Sequence, residues 1–232
     1  MDEKIIKKSS TKNSVDDLTD ALLNVMRYSD NTVEYPEVDN AEPDDGVIAE
    51  WFYPIYNGTN DFSELTAILM YTQQETKFSE IGELVLGIAL VEMKHYAKLG
   101  DLIRALGGKL TQRYSSEYVK AGSTPRKALE KAISSEIATI KFYNELQEKI
   151  SQVKETKTTL IARQLISKLI ADEEVHKTLL SEALTNFSVE EEEKKKQVID
   201  ESAVARAKKV ENKSSTETSN EQKSTTSSLE IL

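Results

Sequence analysis

The chain has 232 residues, of which 38% are hydrophobic, and this suits one helical domain with polar tails. Its net charge of −10 argues against nucleic acids and anionic membranes as partners and favours the accumulation of cations near the surface. The sequence has no cysteine, which excludes disulfides, thiolate zinc sites, iron–sulfur clusters and thiol peroxidase chemistry. It shows no secretory signal and no apolar run long enough to span a bilayer, so we expect a cytoplasmic protein.

Residues 1–45 are predicted to form an N-terminal segment with one short helix and a connector. An apolar stripe at helical spacing predicts the helix from Ser14 to Tyr28, packed on the main domain or on a second subunit: Leu18, Leu22, Val25 and Met26. Pro36 and Pro43, which lie among acidic residues, are typical of the connector that follows.

Residues 46–188 are predicted to form an all-α domain of four helices. They run from about Val47 to Phe78 with a break between Pro54 and Phe62, from Glu80 to about Leu106, from Pro125 onward, and from about Thr159 to Thr185. Gly107 is expected to end the second helix. Residues 109–124 have no clear period and would connect the two helix pairs. Two antiparallel pairs joined by one long crossover make a four-helix bundle.

Each of the two histidines follows a glutamate by three residues, in Glu92-Met93-Lys94-His95 and in Glu173-Glu174-Val175-His176. Side chains at this spacing share one helix face, so both can reach one metal ion. Both glutamates interrupt apolar stripes, where an unpaired carboxylate would be strongly destabilising, and neither stripe contains a lysine or arginine. One such pair alone is typical of a hydrogen-bonded core. Two pairs favour bound cations.

The other two helices each carry one glutamate on an apolar face. Glu136 interrupts the face formed by Ala132 and Ile140, and Glu64 precedes Ala67 on the first helix. Four carboxylates and two neutral imidazoles balance the charge of two divalent ions, and this oxygen-rich set suits iron or manganese. The sequence therefore predicts a dimetal catalytic site with six ligands: Glu64, Glu92, His95, Glu136, Glu173 and His176.

A tyrosine follows each of these lone glutamates by seven residues, as Tyr71 follows Glu64 and Tyr143 follows Glu136. Seven residues are nearly two helical turns, so we expect each tyrosine on the face of its own glutamate. Tyr71 is the candidate donor that orients a ligand carboxylate.

Over residues 35–185 the sequence resembles the ferritin-like superfamily, near its rubrerythrin, bacterioferritin and manganese-catalase branches. The resemblance is carried by residues 63–68, by 91–95 with Leu99-Gly100, and by 172–176. It implies a ferritin-like four-helix bundle in which the six predicted ligands match the pattern of bacterioferritin-type ferroxidase centres.

Two departures separate the sequence from rubrerythrins. Rubrerythrins carry an extra ligand glutamate on the third helix, but Ile133 and Thr139 stand one turn on either side of Glu136. They also usually carry a four-cysteine electron-transfer domain, and this sequence has no cysteine. A rubrerythrin peroxidase cycle would therefore need a separate reductant.

The resemblance implies a metal-dependent oxidoreductase. A di-iron oxidase of ferroxidase type would bind two Fe(II) ions, with one glutamate bridging them, and oxidise them with O2 or H2O2, which serves iron handling and protection against oxidative stress. The alternative is a peroxide-consuming enzyme, either a dimanganese catalase with two Mn ions or a rubrerythrin-like peroxidase. We expect a homo-oligomer in either case.

Residues 189–232 are predicted to be a charged and largely disordered tail, because Ser, Thr, Glu and Lys dominate them. The tail ends on an apolar motif with Leu229, Ile231 and Leu232. This motif resembles the docking peptides of encapsulin cargo, which implies a shell protein as partner, a location inside a protein compartment, and a cargo or structural role as a third function. A frayed end with a few aliphatic residues is the simpler interpretation.

Overall fold

The computed structural model describes residues 24–43, 46–111 and 113–224, without most of the side chains after Val189. Three 3-10 helices come first, at Val25–Tyr28, Val38–Asn40 and Ala49–Trp51. The α-helices are α1 (Tyr53–Tyr56), α2 (Glu64–Lys77), α3 (Gly82–Ala105), α4 (Pro125–Ser151) and α5 (Lys157–Ser224). Over these described ranges, β-pairing is limited to an isolated bridge between Gly58 and Tyr114. The all-α prediction is confirmed.

Local sequence signals set the ends of the long helices. Pro125 starts α4 where a missing N–H costs little, and the Thr124 hydroxyl accepts a hydrogen bond from the Lys127 backbone nitrogen at 3.2 Å. α3 ends at Ala105, and Gly107 follows with a left-handed φ of +78°, so that the Gly108 N–H donates back to the Ile103 carbonyl at 2.8 Å. The predicted break after Pro54 is confirmed, since α1 and α2 are separate helices.

The order of contacts shows how the helices run. Gln74, near the end of α2, donates to the Ala128 carbonyl near the start of α4 at 3.2 Å, while Thr139, later in α4, donates to the Phe62 carbonyl just before α2 at 2.8 Å. α2 and α4 are therefore antiparallel. Because α3 turns back directly from α2, it runs parallel to α4, and residues 106–124 must cross the length of the bundle. This is the predicted single long crossover.

The core of the bundle is apolar, with fully buried side chains from each of α3, α4 and α5: Val85, Ile88, Leu99, Leu102, Leu129, Ile150, Leu165, Ile166 and Leu169. Removing this much apolar surface from water is the main term that stabilises the fold. The six predicted ligands interrupt this core in its middle.

The N-terminal segment packs against the bundle. Residues 1–23, which hold most of the predicted first helix, lie outside the described part of the chain, and its end is the 3-10 helix Val25–Tyr28. Met26, predicted to lie on the buried stripe, is 63% exposed, whereas Tyr28 is 2% exposed. A 3-10 helix has three residues per turn, so it turns a different set of side chains inward than an α-helix would.

The fourth long helix extends further than the sequence predicts. It continues past Thr185 to Ser224, through the charged segment and into the stretch whose composition favours disorder, because Glu and Lys remain good helix formers. Contacts divide the chain into two units, Met1–Leu184 and Thr185–Leu232. The apolar motif with Leu229, Ile231 and Leu232 lies outside the described residues. Within the described ranges, no helix has both the length and the apolar character needed to cross a membrane.

Candidate metal centre

The six predicted ligand side chains meet in the middle of the bundle. α2 and α4 each contribute one glutamate, and α3 and α5 each contribute a glutamate and a histidine. All are at most 2% exposed: Glu64, Glu92, His95, Glu136, Glu173 and His176. They form two groups in which the candidate ligand atoms lie within 4.8 Å of one another, Glu64-Glu92-His95-Glu173 and Glu92-Glu136-Glu173-His176.

Two carboxylates, Glu92 and Glu173, belong to both groups. Glu92 places Oε2 3.0 Å from His95 Nδ1 and Oε1 3.1 Å from His176 Nδ1. Glu173 places Oε1 3.3 Å from His95 Nδ1 and Oε2 3.2 Å from His176 Nδ1. A carboxylate with one oxygen in each group is placed to bridge two ions. The sequence-based expectation of a single bridging glutamate therefore differs from the geometry, which offers two.

The two remaining carboxylates are held by tyrosines from the neighbouring helix. Tyr71 donates its hydroxyl hydrogen to Glu136 Oε1, and Tyr143 donates to Glu64 Oε1. The expectation that Tyr71 donates to a ligand carboxylate is met, and the carboxylate is Glu136 on the opposite helix rather than Glu64 on its own. Because α2 and α4 run in opposite directions, a residue seven positions after the glutamate on one helix stands level with the glutamate on the other. Tyr143 therefore has the same role that the sequence assigned to Tyr71 alone.

Each histidine turns Nδ1 toward the carboxylates and Nε2 away from them. The His176 Nε2–H donates to the Tyr28 carbonyl at 2.9 Å. The His95 Nε2–H donates to Asp172 Oδ2 at 3.1 Å. A carbonyl only accepts, so Nε2 of His176 carries a hydrogen, and Nδ1 is the nitrogen that could bind a metal once its own proton has left. This division of roles between the two ring nitrogens is typical of metal-ligating histidines.

Sequence reasoning missed Asp172, which is fully buried beside Glu173. Besides His95, it accepts hydrogen bonds from the Ser29 hydroxyl at 2.8 Å, the Asp30 N–H at 2.6 Å, the Tyr35 hydroxyl at 2.8 Å and Lys168 Nζ at 2.6 Å. Burial raises the pKa of Asp172, but these donors outweigh it and hold the pKa below its usual value. Lys168 is itself 2% exposed, so α5 does bury a lysine, although that lysine neutralises Asp172 rather than the glutamates.

A family model described as a ferritin-like domain matches residues 63–189, more than half of the chain, and this range includes all six ligands. The chain belongs to the ferritin-like family. No curated protein and no solved structure matches it significantly. The matched range begins after three residues that contact the outer side of His176 or bind Asp172: Tyr28, Ser29 and Tyr35.

The residues of this ferritin-like centre fit two divalent ions. Glu92 Oε1 and Glu173 Oε1 are buried and make no hydrogen bond within the described part of the chain. A buried carboxylate oxygen without a donor is costly, and a cation removes that cost. Each of these oxygens lies beside a histidine Nδ1, so oxygen and nitrogen donors converge on the same space. The ferritin-like fold thus provides a buried Glu/His cluster that could hold metal ions.

The electrostatics of the cluster point the same way. Burial, and then repulsion from a shared glutamate, raise the pKa values of Glu64 and Glu136 well above the usual value. Burial lowers the pKa of His176, but Glu92 and Glu173 outweigh it and raise the pKa to about 10. The pKa of His95 is also raised, because Tyr35 and Glu64 outweigh burial. The metal-free cluster therefore retains protons that a divalent cation would displace.

Proposed function

We propose that this ferritin-like protein is a di-iron oxidase of ferroxidase type, which oxidises Fe(II) with O2 or H2O2. The observation that supports this function is the pair of overlapping ligand groups, which share two carboxylates and have one imidazole each. Oxygen-rich ligation with a single nitrogen per ion suits iron or manganese better than copper or structural zinc. The net charge of −10 would also attract Fe(II) to the surface.

Fe(II) is the substrate in this proposal. Two ions lose one electron each, and one O2 takes both electrons with two protons to give H2O2, or one H2O2 takes them with two protons to give two waters. Glu92 and Glu173 would hold both ions, and Glu64 and Glu136 would each complete one coordination sphere. The buried position of the cluster excludes bulk water from the reacting atoms.

The tyrosines and the histidine partners hold this arrangement in place. The hydroxyls of Tyr71 and Tyr143 fix the carboxylates of Glu136 and Glu64, and the fixed Nε2–H donors keep both Nδ1 atoms turned inward. A ligand set that is held before the metal arrives loses little conformational entropy on binding.

The test is metal analysis of the native protein, followed by stopped-flow oxidation of added Fe(II) under O2 and under H2O2, beside a catalase assay. We expect about two irons per chain and fast Fe(II) oxidation. The matched variants are Glu136→Gln in the cluster and Glu145→Gln, an exposed glutamate of the same helix. The first should abolish fast oxidation and the second should not.

Two results would contradict the proposal. Manganese in the native protein, with O2 evolved from peroxide, would support the dimanganese catalase instead. Less than about one metal per chain, unchanged by Glu136→Gln, would mean that the cluster is a structural group of the core.

A further inference from the structure

One short stretch of chain, residues 28–35, lies against the outward side of both histidines. The Tyr28 carbonyl accepts the Nε2–H of His176 at 2.9 Å. The stretch reaches His95 through Asp172, the carboxylate that accepts the Nε2–H of His95 at 3.1 Å. Residues 28–35 precede the range that the ferritin-like family model matches. The outward nitrogens of both histidines thus depend on a segment outside the matched domain.

Three groups of this segment bind Asp172. The Ser29 hydroxyl donates to Oδ1 at 2.8 Å, the Asp30 N–H donates to the same oxygen at 2.6 Å, and the Tyr35 hydroxyl donates to Oδ2 at 2.8 Å. Oδ2 is also the oxygen that accepts from His95. Both oxygens thus accept hydrogen bonds from the segment, which together with Lys168 of α5 fixes the angle at which Asp172 meets the imidazole.

The segment is seated on α3 and α5, the two helices that carry the Glu-x-x-His pairs. The Tyr28 ring occupies the space beside Gly87 on α3, where an added Cβ would overlap the ring. The Tyr35 ring lies close to two ammonium groups, with Lys94 Nζ of α3 at 4.1 Å and Lys168 Nζ of α5 at 5.0 Å from its centre. A glycine at position 87 therefore permits the close approach that brings the Tyr28 carbonyl to His176.

We propose that residues 28–35 form a positioning strap for the metal centre. Docking of the strap fixes both imidazoles with Nδ1 inward and Nε2–H outward, and metal binding in turn strengthens docking of the strap, because coupling between two equilibria is reciprocal. Tyr28, Ser29 and Tyr35 are positioning residues and do not touch the metal. The inference rests on metal binding by the cluster and is independent of whether the ions are oxidised.

The test compares two glycine variants of the same helix in the full chain. Gly87→Ala displaces the Tyr28 ring, whereas Gly82→Ala places its Cβ no nearer than 3.6 Å to the Glu75 carbonyl, an ordinary contact. The affinity for Co(II), measured by calorimetry, should fall about 10- to 100-fold in Gly87→Ala and stay within about twofold in Gly82→Ala.

Two further measurements separate positioning from mere structural support. In the Co(II)-loaded protein, the Nε2–H protons of the two ligated histidines should give two slowly exchanging, hyperfine-shifted proton resonances, and Gly87→Ala should lose or shift the His176 resonance. Tyr35→Phe adds no atom, so it remains a usable test of the strap even if Gly87→Ala does not fold. It should alter the His95 resonance and leave that of His176 in place.

Hydrogen exchange tests the reciprocal effect. The Asp30 amide donates to Asp172 of α5, so this hydrogen bond depends on docking of the strap, and Co(II) should slow the exchange of this amide in the wild-type chain. The strap proposal is overturned if Co(II) leaves this exchange unchanged. It is also overturned if Gly87→Ala speeds the exchange of the Asp30 amide while the Co(II) affinity and both histidine resonances stay as in the wild type. A wild-type chain that binds no Co(II) would overturn both the strap and the metal centre. If strap docking and Co(II) binding are coupled but the protein does not oxidise Fe(II), only the oxidase proposal is contradicted.

Discussion

Tyr143 donates its hydroxyl hydrogen to Glu64, and both side chains are buried between α2 and α4. Burial, and then the charge of Glu64, raise the pKa of this tyrosine well above its usual value, so it remains a neutral donor at all working pH values. The carboxylate of a candidate ligand is therefore held by a group that cannot compete as an anionic ligand.

Tyr143→Phe should lower both stability and metal affinity, because it leaves a buried carboxylate oxygen without its donor. We expect the metal-free protein to lose about 1–3 kcal/mol in urea unfolding, and Co(II) affinity to fall about tenfold or more. Tyr71→Phe should act equally through Glu136. Tyr114→Phe, at a residue that is 65% exposed, is the control. Equal Co(II) affinity in all three variants would show that these hydroxyls do not orient ligands.

Substitution of shared and unshared glutamates should change metal stoichiometry differently. Glu64→Gln removes a ligand from one group and should cost about one ion per chain, whereas Glu92→Gln removes a ligand from both and should cost about two. Equilibrium dialysis against Co(II) with metal analysis distinguishes the two results, and Glu145→Gln is the control. If the two variants retain the same number of ions, Glu92 is not a bridge.

Metal binding should release protons, and metal affinity should rise with pH. At pH 7 His176 is protonated, since its pKa is raised to about 10, and the pKa values of Glu64 and Glu136 are raised as well. These groups bind a cation only in their deprotonated forms, so each proton retained in the metal-free cluster must leave. Calorimetry in buffers of different ionisation enthalpy should show a net release of protons when the metal binds at pH 7. If no protons are released, the metal-free cluster does not retain protons at pH 7.

Asp172→Asn should destabilise the protein and weaken metal binding for separable reasons. It leaves the buried Lys168 ammonium without its carboxylate, at a cost of about 3–5 kcal/mol, and it replaces the charged acceptor behind His95 with a neutral amide. The double variant Asp172→Asn/Lys168→Met removes the unpaired charge as well, so unfolding experiments should show stability largely restored. Its Co(II) affinity should stay low. Recovery of the affinity together with stability would mean that Asp172 acts only on the fold.

The apolar end of the chain gives a prediction that rests on sequence alone. Deleting residues 229–232 should abolish co-purification with a co-expressed encapsulin shell protein and leave Fe(II) oxidation unchanged. Deleting the polar residues 225–228 is a control of equal length. If the first deletion leaves co-purification unchanged, these residues do not dock the chain to a shell protein.

The sequence was sufficient for the parts of this molecule that follow from helical periodicity. Glu92 and His95 are three residues apart on one apolar face, so their convergence with Glu173 and His176 follows once four helices pack with those faces inward. Each of Tyr71 and Tyr143 donates to the glutamate of the other helix. Predicting this requires the relative direction of the two helices, which the spacing of residues within one helix does not give.

The roles of residues outside the periodic stretches could not be predicted from helical spacing. Tyr28 and Tyr35 lie in a segment without regular spacing, and they meet His176 and Asp172 only through contacts more than 130 positions apart in sequence. Asp172 did carry a signal, since it stands four residues after Lys168 and directly before Glu173. Adjacent residues of an α-helix are about 100° apart, so with Glu173 turned inward Asp172 lies at the edge of the same buried face.

The two ends of the candidate metal centre have the same types of ligand side chain but different surroundings. His95 donates to a carboxylate, while His176 donates to a peptide carbonyl. An imidazole hydrogen-bonded to a carboxylate acquires more imidazolate character and becomes a stronger electron donor. If the cluster holds two metal ions, its His95 end would therefore be the better suited to an ion in its higher oxidation state.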